Sequence, residues 1–143
     1  MSVRATRLIL GTCLALPVLA HAACNVSLVN VAFGAYDVFN SSDTDSTGTV
    51  KVTCDASTSY TISISAGSGT FASRAMTNGS YQLNYNLFTD PQRLTIWGDG
   101  TGGTATVAAT DSGATYTVYG MIPALQNVHA GGYFDTLTVT VTY

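Results

Sequence analysis

The carboxy-terminal residues show the clearest alternation of apolar and polar side chains in this sequence. From Asp135 onward, Leu137, Val139, Val141 and Tyr143 alternate with threonines at positions 136, 138, 140 and 142. Successive side chains of a β-strand point to opposite faces of the sheet. The pattern therefore predicts a strand over residues 136–143 with one buried face.

Shorter segments with the same period of two recur along the chain. They lie at 26–33, 50–54, 60–64, 81–87, 94–97 and 115–122. A change of face between Leu28 and Val31 suggests a bulge or a strand switch within the first segment. Gly-, Ser- and Asp-rich stretches separate the segments, and no amphipathic helix is apparent. About seven short strands predict one all-β domain, an antiparallel sandwich of immunoglobulin-like type.

The amino terminus predicts a secretory signal peptide over residues 1–22. Arg4 and Arg7 precede an apolar run at 8–20, and small residues occupy the cleavage positions that follow. The apolar run is too short to span a membrane. We therefore expect an exported domain formed by residues 23–143.

Cleavage after residue 22 would remove Cys13 and leave only Cys24 and Cys54. An exported protein meets an oxidising compartment, so these two cysteines are expected to form a disulfide. A metal site at these cysteines would lack further ligands. A lipid anchor on Cys24 would need an apolar residue where His21 stands.

Charge and composition exclude several function classes. The exported domain would carry Lys51, Arg74 and Arg93 against eight aspartates, which argues against nucleic acid as a partner. It would contain no glutamate and a single histidine, His129. A nucleophile assisted by a base would have to be built around that imidazole, so we expect a loop histidine and no enzymatic activity.

Two motifs and three aromatic residues have a chemical interpretation that their context does not favour. Residues 43–48, DTDSTG, copy the start of a calcium loop, but the twelfth position, which needs a glutamate, is Cys54. Residues 98–103, GDGTGG, match a dinucleotide fingerprint, but no helix pattern follows them. We expect a solvated loop, a flexible turn and no metal or cofactor. Three aromatic residues could stack on a ligand, but we interpret them as packing residues: Tyr36, Trp97 and Tyr119.

Five segments together resemble the spore coat protein U domain family, which includes subunits of archaic chaperone-usher pili of Gram-negative bacteria. They are VAFGAYD at 31–37, GTVKVTC at 48–54, ISAGSGTFASRAM at 64–76, LNYNLFTDPQRLTIWGDG at 83–100 and YTVYGMIPALQNVHAGGYFDTLTVTVTY at 116–143. The resemblance extends over residues 24–143.

The resemblance implies an incomplete immunoglobulin-like sandwich of pilin type, whose last strand is missing. A hydrophobic groove between the first and final strands would be filled by a periplasmic pilus chaperone. At the outer-membrane usher, the amino-terminal extension of another pilus subunit would replace the chaperone. The free edge of the strand at 136–143 would thus be covered by a second polypeptide. The residues expected to line this donor-strand and chaperone groove are Val26, Leu28, Val31, Phe33, Leu137, Val139, Val141 and Tyr143.

One feature departs from the polymerising members of that family. Only Ala23 lies between the predicted cleavage site and Cys24, too little for a donor strand of about ten residues. We therefore expect a subunit that accepts a strand at the tip of a cell-surface pilus, with a role in adhesion or biofilm formation. The alternatives are a secreted spore-coat or matrix protein whose sandwich is closed by its own residues, for instance 104–108, and an unrecognised enzyme or small-ligand lectin.

Overall fold

The computed structural model describes residues 23–143, and these residues form β-strands and no helix. The strands are β1 (Cys24–Val29), β2 (Thr44–Ile64), β3 (Arg74–Asn78), β4 (Tyr81–Phe88), β5 (Val107–Ile122) and β6 (Val139–Thr142). Every strand pairing is antiparallel. The prediction of an all-β antiparallel domain is confirmed. The predicted signal peptide lies outside the described residues, among which no helix is long and apolar enough to cross a membrane.

Strand β2 is longer than the sequence pattern suggested. The segments predicted at 50–54 and 60–64 belong to one strand, and its register against β5 shifts between Thr53 and Thr58. The solvated loop expected at 43–48 is also wrong, because β2 begins at Thr44, which faces Ile122. Both differences arise because β5 continues alongside β2 on either side of the register shift.

The remaining strands differ from their predictions for identifiable reasons. β5 starts at Val107 rather than near 115, since its first residues pair with the end of β2. The piece at 94–97 is not a strand and makes only isolated pairings, Phe88 with Ile96 and Trp97 with Ala105. Strand β3 was not predicted from the sequence. Strand β6 starts at Val139 because its partner, β2, ends at Ile64.

The sheet runs in the order β1-β2-β5-β4-β3, and β6 also pairs with β2. At Thr61 and Ile62, β2 pairs with both β5 and β6, so β6 lies on the edge of β2 opposite β5. Just before β6, Phe134 pairs with Thr77 of β3. The residues that lead into β6 thus connect the β3 edge to β2, and the sheet curls around the core.

The core lies inside this curl. Its buried side chains are Val50, Val52, Cys54, Tyr60, Ile62, Ile64, Leu83, Tyr85, Leu87, Trp97, Val118 and Ile122. The predicted disulfide is confirmed: Cys24 and Cys54 are bonded, and they face each other across β1 and β2. This bond fixes the start of β1 to the middle of β2.

Candidate functional site

Strand β1 carries two apolar side chains that face the core without being covered. Val26 lies opposite Val52 and Leu28 lies opposite Val50. Opposed residues of an antiparallel pair point to the same face of the sheet. Val50 and Val52 are almost fully buried, whereas Val26 is 42% and Leu28 is 51% exposed. The inward face of β1 therefore lacks a neighbour.

The chain around β6 shows the matching feature on the other side. Val139 lies opposite Ile64 and Val141 lies opposite Ile62, both of which are buried. The alternation continues toward the amino terminus: Leu137 and Asp135 are also half-buried, and the residue between them is exposed. One face of residues 135–141 is thus turned inward.

Between these two parts of the chain lies an open groove of about 440 Å³. We call residues 28–33 its first wall and residues 133–139 its second wall. Its floor consists of Thr49, Val50, Ile64, Met76, Tyr85, Leu87 and Val118. Most of these groups are apolar, so the open groove leaves one side of the hydrophobic core uncovered.

The backbone along both walls has free hydrogen-bonding groups. Within residues 30–36, no backbone-to-backbone hydrogen bond forms, and the carbonyl of Ala32 accepts only from the hydroxyl of Ser46, at 2.7 Å. On the second wall, Ser65 N donates to Thr138 O at 2.9 Å, which makes 138 and 65 a hydrogen-bonded pair. Partner directions alternate along a strand, so the N–H and C=O groups of Leu137, Val139 and Val141 point away from β2. The second wall therefore presents an unpaired strand edge, and residues 30–33 of the first wall, which follow the end of β1, have no backbone partner.

Two inward-facing glycines shape the first wall. Gly48 of β2 and Gly120 of β5 leave a notch that receives Val31 and Phe33. A Cβ on Gly48 would lie 2.9 Å from Val31 Cγ2, and one on Gly120 would lie 2.8 Å from Phe33 Cζ. The ring of Phe33 also packs edge-on against Tyr85, with centroids 6.0 Å apart. The first wall is thus held by side-chain packing.

Five of the eight predicted groove residues line this groove: Leu28, Val31, Phe33, Leu137 and Val139. Val26 and Val141 face inward by register but lie beyond its ends. Tyr143 is 59% exposed and borders a separate shallow cleft beside Tyr60. The role of all eight residues in binding a strand stays a prediction.

Sequence reasoning missed part of the floor and one charged residue of the second wall. Met76 lies in the unpredicted strand β3, and Tyr85 and Leu87 belong to an alternating segment whose inward face was not assigned to the groove. The charged residue is Asp135. Extending the alternation of Leu137 and Val139 back by one step would have placed it on the groove side.

The segment 104–108, proposed as a possible self-closure of the sandwich, does not cover the groove. Ala105 pairs with Trp97, and Val107 and Ala108 pair with Ile62 and Thr61. This pairing occupies the edge of β2 opposite β6. This segment, which the alternative of a self-closed sandwich offered as an example, therefore does not close the groove.

Spore Coat Protein U domain is the family whose model matches residues 10–140. The chain belongs to the spore coat protein U domain family. Protein U of Myxococcus xanthus is 33% identical over 125 residues, which are 78% of this chain and 70% of that protein. The family membership expected from the sequence is confirmed.

A solved structure with a similar fold comes from the archaic chaperone-usher Csu pili of Acinetobacter baumannii. It is the CsuC-CsuE chaperone-tip adhesion subunit pre-assembly complex, and the superposition has a TM-score of 0.62 at 22% identity. The match covers 86% of this chain but only 40% of the solved chain. The likeness shows that this spore coat protein U domain has the incomplete sandwich of pilin type expected from the sequence.

A buried arginine joins the elements behind the groove of this spore coat protein U domain. Arg74 is fully buried, and its guanidinium donates to Ser65 O at 2.9 and 3.0 Å, to Trp97 O at 2.7 Å and to Asn86 Oδ1 at 2.6 Å. Burial lowers the pKa of Arg74, while the nearby Tyr85 and Asp135 partly offset that effect. Neutral oxygens thus surround the buried cation.

Two tyrosines have strongly raised pKa values. Burial, followed by the hydrogen bond to Asp135, raises the pKa of Tyr85 above its usual value. Burial also raises the pKa of Tyr60, whose hydroxyl bonds to Tyr116 at 2.8 Å and to Asp111 at 2.7 Å. Both phenols are therefore neutral hydrogen-bond donors to a carboxylate across the pH range in which proteins are normally handled.

The other candidates from the sequence lie apart from the groove. His129 is exposed, and its ring stacks on Tyr81 at 4.0 Å between centroids. Within residues 23–143, no three His, Cys, Asp or Glu side chains lie close enough together to hold a metal ion. The three aromatic residues do not share a surface: Trp97 is fully buried, Tyr36 bonds to Pro123 O at 2.8 Å and Tyr119 is half-buried in β5.

Proposed function

We propose that this protein is a structural subunit of an archaic chaperone-usher pilus, and that its groove accepts a β-strand from another polypeptide. The observation that carries the proposal is the groove between two walls with unpaired backbone groups, which leaves Leu28 uncovered and beyond whose end Val26 also faces inward uncovered. A strand placed there would hydrogen-bond to both walls and bury its alternate side chains on the floor. Family membership and the pilin-type fold support the same function.

The partners follow from this mechanism. A periplasmic pilus chaperone would supply the strand first, and another pilus subunit would replace it at the outer-membrane usher. The similar solved structure supports the chaperone step, since it is a pre-assembly complex of a chaperone with a tip adhesion subunit. The chain would therefore pass through the periplasm and end at the cell surface.

The energy of strand addition is large compared with the stability of a small domain. Four or five inserted side chains would contribute on the order of 10 kcal/mol before the cost of ordering the strand is subtracted. Whole domains are stable by only about 5–15 kcal/mol. The isolated subunit is therefore expected to be marginally stable, and its open edge to promote aggregation.

The proposal is tested by giving the subunit a strand of its own. We would extend the chain after Tyr143 by an Asn-Gly turn and about ten residues that alternate valine and threonine. A two-residue turn places the first added residue opposite Tyr143, so valine at the first and every second position would face the groove. The matched control carries threonine at every position of the added strand.

We expect the valine-threonine extension to raise Tm by about 10 °C over the all-threonine control, equivalent to a few kcal/mol. Equal melting temperatures for the two extensions would contradict the proposal. A second measurement uses the native partner: purification from the periplasm should recover a stoichiometric chaperone. Recovery of a stable monomer alone would instead support a secreted coat or matrix protein.

Position in the fibre and adhesion form the finer part of the proposal. We propose that the subunit sits at the tip and contributes to attachment and biofilm formation, because the predicted cleavage site leaves too few residues before β1 for a donor strand. Mass spectrometry of the exported protein should give Ala23 as its first residue. Growth of fibres from the purified chaperone complex of this chain alone would contradict a tip position.

A further inference from the structure

The groove contains one charged side chain among its described lining residues, and it sits on the second wall. Asp135 continues the inward-facing series of Leu137 and Val139. A carboxylate at such a position is costly to cover unless its charge is hydrogen-bonded. The surroundings of Asp135 therefore decide how the groove can accept a strand.

Both carboxylate oxygens of Asp135 are engaged by the protein. Oδ1 accepts from Ser68 N at 3.0 Å, from Ser68 Oγ at 2.9 Å and from Thr136 N at 2.9 Å. Oδ2 accepts from Tyr85 OH at 2.7 Å. Hydrogen bonds to an ionised acceptor are stronger than those between neutral groups. Asp135 thus ties the second wall to the loop before β3 and to β4.

That loop is shaped to fit against the second wall. Gly67 has a φ of +66°, and a Cβ at this position would overlap the carboxylate of Asp135 and lie 2.7 Å from Leu137 Cδ2. Only glycine accommodates both the backbone conformation and the close approach. The glycine at position 67 and the hydrogen bonds of Ser68 therefore both hold this loop against the second wall.

The second wall is consequently fixed by hydrogen bonds along its length, whereas the first wall is held by side-chain packing. Phe134 exchanges two backbone hydrogen bonds with Thr77, at 2.8 and 3.1 Å. Asp135 holds the next residue, and Thr138 is bonded to Ser65 through Ser65 N and Ser65 Oγ, each at 2.9 Å. The first wall has no comparable backbone attachment between residues 30 and 36.

We propose that Asp135 is a positioning residue for the added strand. It holds residues 135–139 extended, with one edge free, so that an incoming strand meets a preformed partner and pays less ordering cost. Its hydrogen bonds remain when the strand covers the groove, and the buried positive charge of Arg74 lies nearby. This inference rests on the proposed function, because it concerns the same groove.

The test measures how much the added strand stabilises each variant. We define the strand gain as the Tm of the valine-threonine extension minus the Tm of the all-threonine extension. It is measured for the wild-type sequence, for Asp135→Ala and for the milder Ser68→Ala. The matched control is Asp111→Ala, which removes a carboxylate that likewise accepts from a tyrosine hydroxyl, Tyr60 OH at 2.7 Å, and from a backbone N–H, Gly113 N at 2.8 Å.

We expect the strand gain to fall by roughly half or more in Asp135→Ala, to fall less in Ser68→Ala and to be unchanged in Asp111→Ala. A residue with a merely structural role would lower both melting temperatures equally and leave the gain intact, and that result would overturn the inference. If Asp135→Ala does not fold, the strand gain of Ser68→Ala tests the inference by the same criterion. A strand gain of zero in the wild-type sequence would instead contradict the proposed function itself.

Discussion

Leu28 and Val50 face each other across β1 and β2, yet Leu28 is 51% exposed and Val50 is 1% exposed. The two apolar side chains lie on the same face of one sheet, and their exposed fractions differ because the core covers Val50 but not Leu28. Free energy gained from burial scales with the area removed from water. The exposed area of Leu28 is therefore apolar surface that an added strand could bury.

Replacement of each residue by alanine should reveal this contrast. In the unextended domain, we expect Val50→Ala to cost about 2–3 kcal/mol and Leu28→Ala about 1 kcal/mol. With the valine-threonine strand attached, the cost of Leu28→Ala should approach that of Val50→Ala. Urea unfolding of the two variants and their parent, each with and without the added strand, provides the comparison. A cost for Leu28→Ala that does not change would argue against coverage by the strand.

The notch under the first wall gives a second prediction. Gly120→Ala should push Val31 and Phe33 outward and reduce stability by about 1–3 kcal/mol, because the added methyl group overlaps their side chains. Combining it with Val31→Ala should recover part of the loss, since the smaller residue restores space. Denaturant midpoints of the single and double variants test this, and strictly additive losses would exclude a shared notch.

The buried guanidinium of Arg74 should be hard to replace. Arg74→Ala leaves the carbonyl oxygens of Ser65 and Trp97 without these donors and removes one of the two donors to Asn86 Oδ1, so we expect a loss of about 3–5 kcal/mol. Arg74→Lys should recover little, because an ammonium cannot reproduce the fork of donors. The control is Arg93→Ala, which breaks a partly exposed ion pair with Asp45 and should cost under about 1 kcal/mol. Equal losses at the two arginines would contradict this account.

The raised pKa values of Tyr60 and Tyr85 predict the response to alkali. A raised folded-state pKa gives stability that is fully present below the unfolded pKa, near 10, and is lost as pH rises toward the folded value. The free energy of unfolding should therefore decline above about pH 10. Tyr60→Phe and Tyr85→Phe should each make this decline shallower, as urea titrations between about pH 8 and 11 would show. A decline unaffected by both variants would assign it to other groups.

Alternation of side chains was enough to predict the class of fold and most of the second wall. Leu137, Val139 and Val141 face inward as the period of two indicates. The change of face between Leu28 and Val31 also marked the place where β1 ends and Val31 packs against Gly48 and Gly120. These features are local, so they are visible in the order of residues.

Other features depend on partners distant in sequence. Strand β3 was missed because Arg74 interrupts its apolar pattern, and the oxygens that allow its burial come from Ser65, Asn86 and Trp97. The bulged stretch between Thr53 and Thr58 has the composition of a turn, yet β5 keeps both sides of it in one strand. Likewise, Asp135 gives no local sign that it accepts from Ser68 and Tyr85.

The bond between Cys24 and Cys54 closes a covalent ring that contains the whole first wall. The exposed stretch at 37–43 lies within that ring, and it is the kind of segment that proteases cut. A single cut there would leave both fragments attached, with β1 still anchored beside β2. Intact mass under non-reducing conditions would then increase by one water, and the fragments would separate only after reduction.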